Sequence, residues 1–156
     1  MKTKSSFYID GTTDELTNYR FDGNKVELTD QQWQEILPED DYCILREKAT
    51  ERAFTGSLNN QKATGLYCCN GCGMPLFESD SKYNSGSGWP SFFKPIQHKN
   101  EPKRITEISD NSFGMKRVEV VCARCDSHLG HLFEDGPAPT GQRYCVNSAS
   151  LHFLKE

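Results

Sequence analysis

Two short cysteine pairs, Cys69-Asn70-Gly71-Cys72 and Cys122-Ala123-Arg124-Cys125, constrain this chain more than anything else in it. Together they supply four thiolates, which is the ligand set of a structural zinc site. The stretch from Gly73 to Val121 separates them, far more than the spacer of an ordinary zinc ribbon, so one metal ion would clamp two distant segments together. Gly71 and Gly73 suit the tight backbone of a knuckle, where positive φ or close approach is needed. A site of four thiolates is coordinatively closed. It shapes the fold and leaves no position for a substrate, so any chemistry has to come from other residues.

Three of the seven cysteines lie outside the knuckles: Cys43, Cys68 and Cys145. An odd number, four of them at metal-ligand spacing, argues against a disulfide framework. Cys145 stands in Arg143-Tyr144-Cys145-Val146-Asn147-Ser148. Read as a strand, this run puts Arg143, Cys145 and Asn147 on one face. A neighbouring cation lowers a thiol from its reference pKa of about 8.5 toward the nucleophilic thiolate. The alternative is a small cysteine packed as a hydrophobe.

A length of 156 residues suits one domain. The net charge of -4, with scattered lysines and arginines, argues against nucleic-acid binding, which needs a basic stripe. No apolar run is long enough for a membrane span, and the start Met1-Lys2-Thr3-Lys4 leads into no signal-type segment. The expectation is a cytoplasmic monomer without membrane or nucleic-acid partners. Residues 1–28 are polar and turn-rich and read as an irregular arm, with one catalytic domain over 29–156. Thr29-Asp30-Gln31-Gln32 has capping-box spacing, and Trp33, Ile36 and Leu37 recur at helical intervals, so a helix is predicted over 30–36. Pro38 can open a second over 38–48, with acidic residues in its first turn. From residue 64 onward the pattern is all-β, with strands predicted over 66–69, 104–108, 113–121, 131–133, 143–148 and 151–154. Asp110-Asn111 reads as the hairpin turn joining the second and third. In Arg117-Val118-Glu119-Val120 the valines face one side and the charges the other.

Three blocks then stand in order, interleaved with the knuckles: Gly88-Trp89-Pro90-Ser91-Phe92-Phe93, Ser127-His128-Leu129-Gly130-His131-Leu132-Phe133, and the run around Cys145. With them the sequence strongly resembles the B-type methionine sulfoxide reductases over about residues 29–154. The resemblance implies a mainly β, compact, barrel-like domain of two small antiparallel sheets with short N-terminal helices. It further implies one structural zinc ion, Cys145 as nucleophile, and reduction of peptide-bound methionine-R-sulfoxide with thioredoxin or another thiol as reductant. Trp89 and Phe93 would then contact substrate, and His128, His131, Asn147 and Arg143 would join Cys145 in the catalytic set.

That chemistry agrees with the residue types. A sulfoxide carries a partly positive sulfur and a partly negative oxygen, so its reduction needs a thiolate to attack sulfur and an acid to protonate the oxygen. Histidine titrates near neutrality and suits the second task. Gly130 would let the chain turn so that both rings meet one pocket. The stiff indole of Trp89 would wall off the S-methyl group, whose burial contributes about 0.8 kcal/mol. Asn147 would orient a histidine or the sulfoxide oxygen. The chain departs from the family at recycling, because its two usual cysteine positions are Ser87 and Thr55 here. Cys43 and Cys68 are the remaining thiols that could condense with an oxidised Cys145, and direct reduction by an external thiol stays open. Two rival readings need no such catalyst: a zinc-stabilised protein- or RNA-binding module, and a redox switch that releases metal on oxidation.

Overall fold

The computed structural model describes residues 6–156. Three short helices precede the sheets: α1 (Thr13–Thr17), α2 (Asp30–Ile36) and α3 (Glu39–Glu47). The Thr29 capping box starts α2, with the Thr29 hydroxyl accepting from the Gln32 amide and the Gln32 side chain accepting from the Thr29 amide. Pro38 caps α3 without a side-chain bond, three acids fill the first turn, and Lys48 ends the helix in the left-handed region. The segment before residue 28 is more ordered than its composition suggests. It holds α1, begun by a capping box of its own at Thr12 and Glu15, and it buries Leu16 and Phe21.

Nine strands follow. β1 (Gly65–Cys69), β2 (Pro75–Glu78) and β9 (Leu151–Lys155) form a small antiparallel sheet in the order β2-β1-β9. β3 (Lys82–Tyr83), β4 (Ser91–Phe92), β5 (Ile105–Asp110), β6 (Arg117–Cys122), β7 (His128–Phe133) and β8 (Arg143–Val146) form a larger one, β3-β4-β8-β7-β6-β5. Aromatic rings join the two sheets. Phe77 of β2 stacks on Phe92 of β4 at 4.2 Å between centroids, and Tyr67 of β1 meets Phe92 edge-on at 5.0 Å. Such pairs add to the burial of large apolar area that drives the sheets together.

The strands expected over 113–121 and 143–148 are shorter than their sequence runs. Phe113 and Gly114 both take positive φ, 54° and 70°, which no strand accommodates, so β6 starts at Arg117. A longer turn over 111–116, left-handed at Phe113 and Gly114, therefore replaces the two-residue hairpin at Asp110-Asn111. Asn147 leaves β8 and caps a turn of 3₁₀ helix, Ser148–Ser150. In the other direction, β7 begins at His128, three residues earlier than expected. Among the described residues no helix is long and apolar enough to cross a membrane.

Candidate active site and thiolate cluster

Both knuckles fold alike. The Cys69 amide donates to the Met74 carbonyl at 2.9 Å and the Gly73 amide to the Cys69 carbonyl at 2.7 Å. At the same offsets the Cys122 amide donates to Ser127 at 3.0 Å and the Asp126 amide to Cys122 at 2.8 Å. The fifth residue of each, Gly73 and Asp126, takes positive φ. Four buried sulfurs result, all within 4.8 Å of one another, with Cys69–Cys125 at 3.6 Å and Cys72–Cys122 at 3.7 Å. A disulfide needs about 2.05 Å. Four thiolates placed tetrahedrally at zinc–sulfur distance stand about 3.8 Å apart, so the cluster is close enough to hold a metal ion and has a spacing suited to one.

Cys145 lies on β8 between β4 and β7, and its lateral neighbours in register are Ser91 and His131. The row continues to Tyr83 on one side and Glu119 on the other. Residues paired directly across a sheet share a face, so this row lies opposite the core row of Phe92, Tyr144 and Leu132. His128 joins the same face through a bulge. Val120 pairs with Gly130 but Val121 with His128, so Leu129 is the extra residue. Without it, histidines three apart would point to opposite faces. Gly130 therefore serves differently from the turn expected of it: a Cβ there would run into the Cys145 carbonyl, so glycine is what lets β8 come close.

Each histidine has a carboxylate. His128 Nδ1 lies 2.7 Å from Glu119 Oε2, with both side chains only 4% exposed, and Lys48 Nζ reaches Glu119 Oε1 at 3.0 Å. A ring nitrogen facing a carboxylate carries the proton, which leaves His128 Nε2 as the free nitrogen. His131 Nε2 lies 2.8 Å from Asp110 Oδ2, which also takes Arg117 at 3.3 Å. Bonds from Ser112 and His131 hold the Asp110 carboxyl well below the usual carboxylate range. Burial pushes the His128 pKa down, and Glu119 opposes it. The alternation around Val118-Glu119-Val120 is present, yet its charged face is buried at Glu119. Nothing in the local pattern marks that burial.

A cavity of about 110 Å³ brings together Trp89, His128, His131, Cys145 and Asn147, with Thr50, Arg117 and Phe133 in its lining. Trp89 is held by its indole N–H, which donates to the Glu51 carbonyl at 3.0 Å. Asn147 is committed to the backbone, accepting from the Glu51 amide and donating to the Leu129 carbonyl. It fixes the loop and β7 rather than a histidine ring. Phe93, which follows β4, is not among the residues lining the cavity. Phe133 stands there instead. Arg143 shares the face of Cys145 but makes a bidentate pair with Asp135 at 2.8 and 3.2 Å and lies over Phe133 at 4.3 Å. Burial pushes the Cys145 thiol up, against the pull of Ser87 and Arg143, so the resting thiol is not the lowered one expected. Glu51, Glu119, Asp110 and Arg117 were all missed in the sequence, where none belongs to a recognisable motif.

The other thiols lie elsewhere. Cys68 is buried in a satellite cluster with Leu16, Leu66 and Ile96, and burial pushes its pKa up to about 12. Cys43 is on α3, its thiol raised by a bond to Glu47. Neither lines the cavity. The group near Cys145 Sγ is Ser87 Oγ, at 4.0 Å.

The SelR domain family matches residues 37–155, a span that takes in both knuckles and every residue of the cavity. The protein named peptide methionine sulfoxide reductase MsrB in Methanosarcina mazei is 53% identical over 133 residues, 85% of this chain and 92% of its own length. The protein of that name in Acinetobacter baylyi is 56% identical over 127 residues, 81% of this chain and 88% of its own. That of Leptospira interrogans is 51% identical over 132 residues, 85% of this chain and 98% of its own. Over this span stand two thiolate knuckles, a tryptophan-walled thiol and paired histidines, and the chain belongs to the SelR-domain family of B-type peptide methionine sulfoxide reductases.

Proposed function

We propose that this protein is a peptide-methionine (R)-S-oxide reductase in which Cys145 is the nucleophile. The observation that carries the reading is the placement of the Cys145 thiol in register with His131, inside a cavity walled by Trp89 and entered by two carboxylate-bonded histidines. The Cys145 sulfur attacks the sulfoxide sulfur as a histidine delivers a proton to the oxygen. The sulfur–sulfur bond formed in the attack breaks as the protonated oxygen passes from the substrate sulfur to the Cys145 sulfur, so that methionine leaves as the thioether and Cys145 is left as the sulfenic acid. Trp89 excludes water from one wall and receives the S-methyl group. Burial raises the Cys145 thiol, and Ser87 and Arg143 are the groups that favour its thiolate.

Cys69, Cys72, Cys122 and Cys125 hold one zinc ion, which supplies cross-linking of the two knuckles and no step of the reaction. The sulfenic acid returns to the thiol through an external reductant of the thioredoxin or small-thiol class. A binding module would have no use for one buried and one half-buried imidazole–carboxylate pair beside a thiol, which favours the enzyme.

One turnover with separate R and S epimers of N-acetyl methionine sulfoxide amide, followed by mass spectrometry, tests the reading. The expected outcome is methionine from the R epimer alone, an oxygen on Cys145, and no methionine from Cys145→Ser with folding and metal content retained. Oxidation confined to the knuckle cysteines would overturn it.

A further inference from the structure

The face of the large sheet that carries Cys145 has a second row beside the thiol. Asp110 pairs with Arg117 across β5 and β6, and Phe133 with Arg143 across β7 and β8. Arg117, Phe133 and Arg143 stand two residues from Glu119, His131 and Cys145, so their side chains share the face of the thiol. The two arginines of this row are held very differently. Arg143 spends its fork on Asp135, at 2.8 and 3.2 Å, and its flat side on Phe133. Arg117 has only a share in Asp110. His131 takes Asp110 Oδ2 at 2.8 Å, the hydroxyl and amide of Ser112 take Oδ1 at 2.6 and 3.0 Å, and Arg117 reaches Oδ2 at 3.3 Å. That bond and a 3.5 Å approach to Ser112 Oγ both come from Nη2. Nε is buried with no hydrogen-bond partner, and among the described residues Nη1 has none either. A guanidinium is a fork of N–H donors with nothing else to offer, so a cation in the cavity lining with donors unspent calls for an acceptor from outside.

The cavity holds about 110 Å³. Pockets that enclose a whole ligand run to about 300–1,000 Å³. This one has room for a side chain, so a main chain carrying the sulfoxide lies along the rim. Arg117 is at that rim, with its side chain 26% exposed against 4% for His128. Strand spacing and rise set its Cα about 12 Å from that of Cys145, two strands and two residues away. We propose that Arg117 is a substrate-binding residue whose Nη1 donates to the main-chain carbonyl of the methionine sulfoxide residue while the sulfoxide sulfur faces Cys145. The inference deepens the reductase reading and rests on it. A neutral carbonyl accepts from Nη1 while Nη2 stays on Asp110, so the bond from Asp110 to His131 is kept. Held at its carbonyl and at its sulfur, the residue has one way to lay its S-methyl group on Trp89. Every residue of a polypeptide carries that carbonyl. Arg117 therefore selects sulfoxides borne on a peptide unit over simple alkyl sulfoxides, whatever the neighbouring side chains.

The test compares the R epimer of N-acetyl methionine sulfoxide amide with methyl propyl sulfoxide of the same configuration at sulfur, which has no carbonyl. Single-turnover rates are measured against substrate concentration in wild type, Arg117→Gln and Arg117→Lys. Thioether released by wild type and not by Cys145→Ser reports on the reductase reading by itself. For the amide, Arg117→Gln should raise the half-saturation concentration about tenfold to a hundredfold, the worth of a hydrogen bond from a charged group, with a smaller change in maximum rate. For methyl propyl sulfoxide the loss in the same variant should be at least about tenfold less. Arg117→Lys, which keeps the charge and a donor, should recover part of the amide's affinity. An equal loss with both substrates would overturn the proposal, because Arg117 would then act through Asp110 and His131 or at the reacting atoms. So would a loss confined to the maximum rate, or no loss with either substrate.

Discussion

Glu119 decides how His128 holds its proton. The ring is buried, and burial, His131 and Lys48 all disfavour its charge; Glu119 is the group that opposes them. In Glu119→Gln the acceptor stays and the charge goes, so the midpoint for protonated His128 moves to lower pH. If His128 is the acid, the single-turnover rate above that midpoint falls about tenfold for each unit of the shift, because only the protonated fraction delivers. A pH profile of single turnovers, with metal content as the folding control, measures this. An unmoved midpoint would assign the proton to His131. At this scale it was the resemblance carried by the motif blocks, and no single residue, that led to the expectation that Cys145, Trp89 and both histidines, which line one cavity, would share a site. Their partners were not legible, since an imidazole shows its chemistry in one letter while a carboxylate does so only when the fold buries it.

At the scale of elements, the bulge in β7 is what gives two histidines three positions apart a common face, and Gly130 is where β8 passes over it. Gly130→Ala must push β8 away or undo the bulge. The expected result is a stability loss of about 1–3 kcal/mol, read from the denaturant midpoint, with a single-turnover rate at least about a hundredfold lower. A variant that loses stability but keeps its rate would show that the histidines need no shared face. Helices α2 and α3 were legible because a capping box and a proline are local signals. The bulge was not, because it consists of a register between two strands. Neither were β3 and β4, whose two residues each are too short to show a period. Phe113 misled the reading of β6: it is a good strand former in sequence, but it is 91% exposed and left-handed in the fold.

Across the whole molecule the N-terminal segment acts as a strap on the thiolate cluster. The Ile9 amide donates to the Cys72 carbonyl and the Val26 amide to the Arg124 carbonyl, while Arg124 reaches both Cys72 and Phe7. Arg46 of α3 adds a bond to the Cys125 carbonyl while stacking on Trp33, which is also met edge-on by Phe7. Both knuckles are thus held by segments before the SelR match or at its start. Deleting residues 1–28 should lower Tm by on the order of 5 °C and, in protein loaded with the zinc proposed above, speed its loss to a chelator. Unchanged release in the deleted protein would show that the strap lies on the cluster without holding it.

The strap has a consequence for how the protein comes off the ribosome. Phe7, Ile9 and Val26 emerge before any strand exists, yet their partners at Cys72 and Arg124 come much later, and β1 waits for β9 to pair Gly65 with Lys155. Contacts this distant in sequence close slowly, and until they do the growing chain carries bare thiols and an unpaired strand edge. With the zinc proposed for its knuckles, a nascent chain of this kind needs metal and its final residues at nearly the same moment, so synthesis under zinc shortage should be where it is most easily lost.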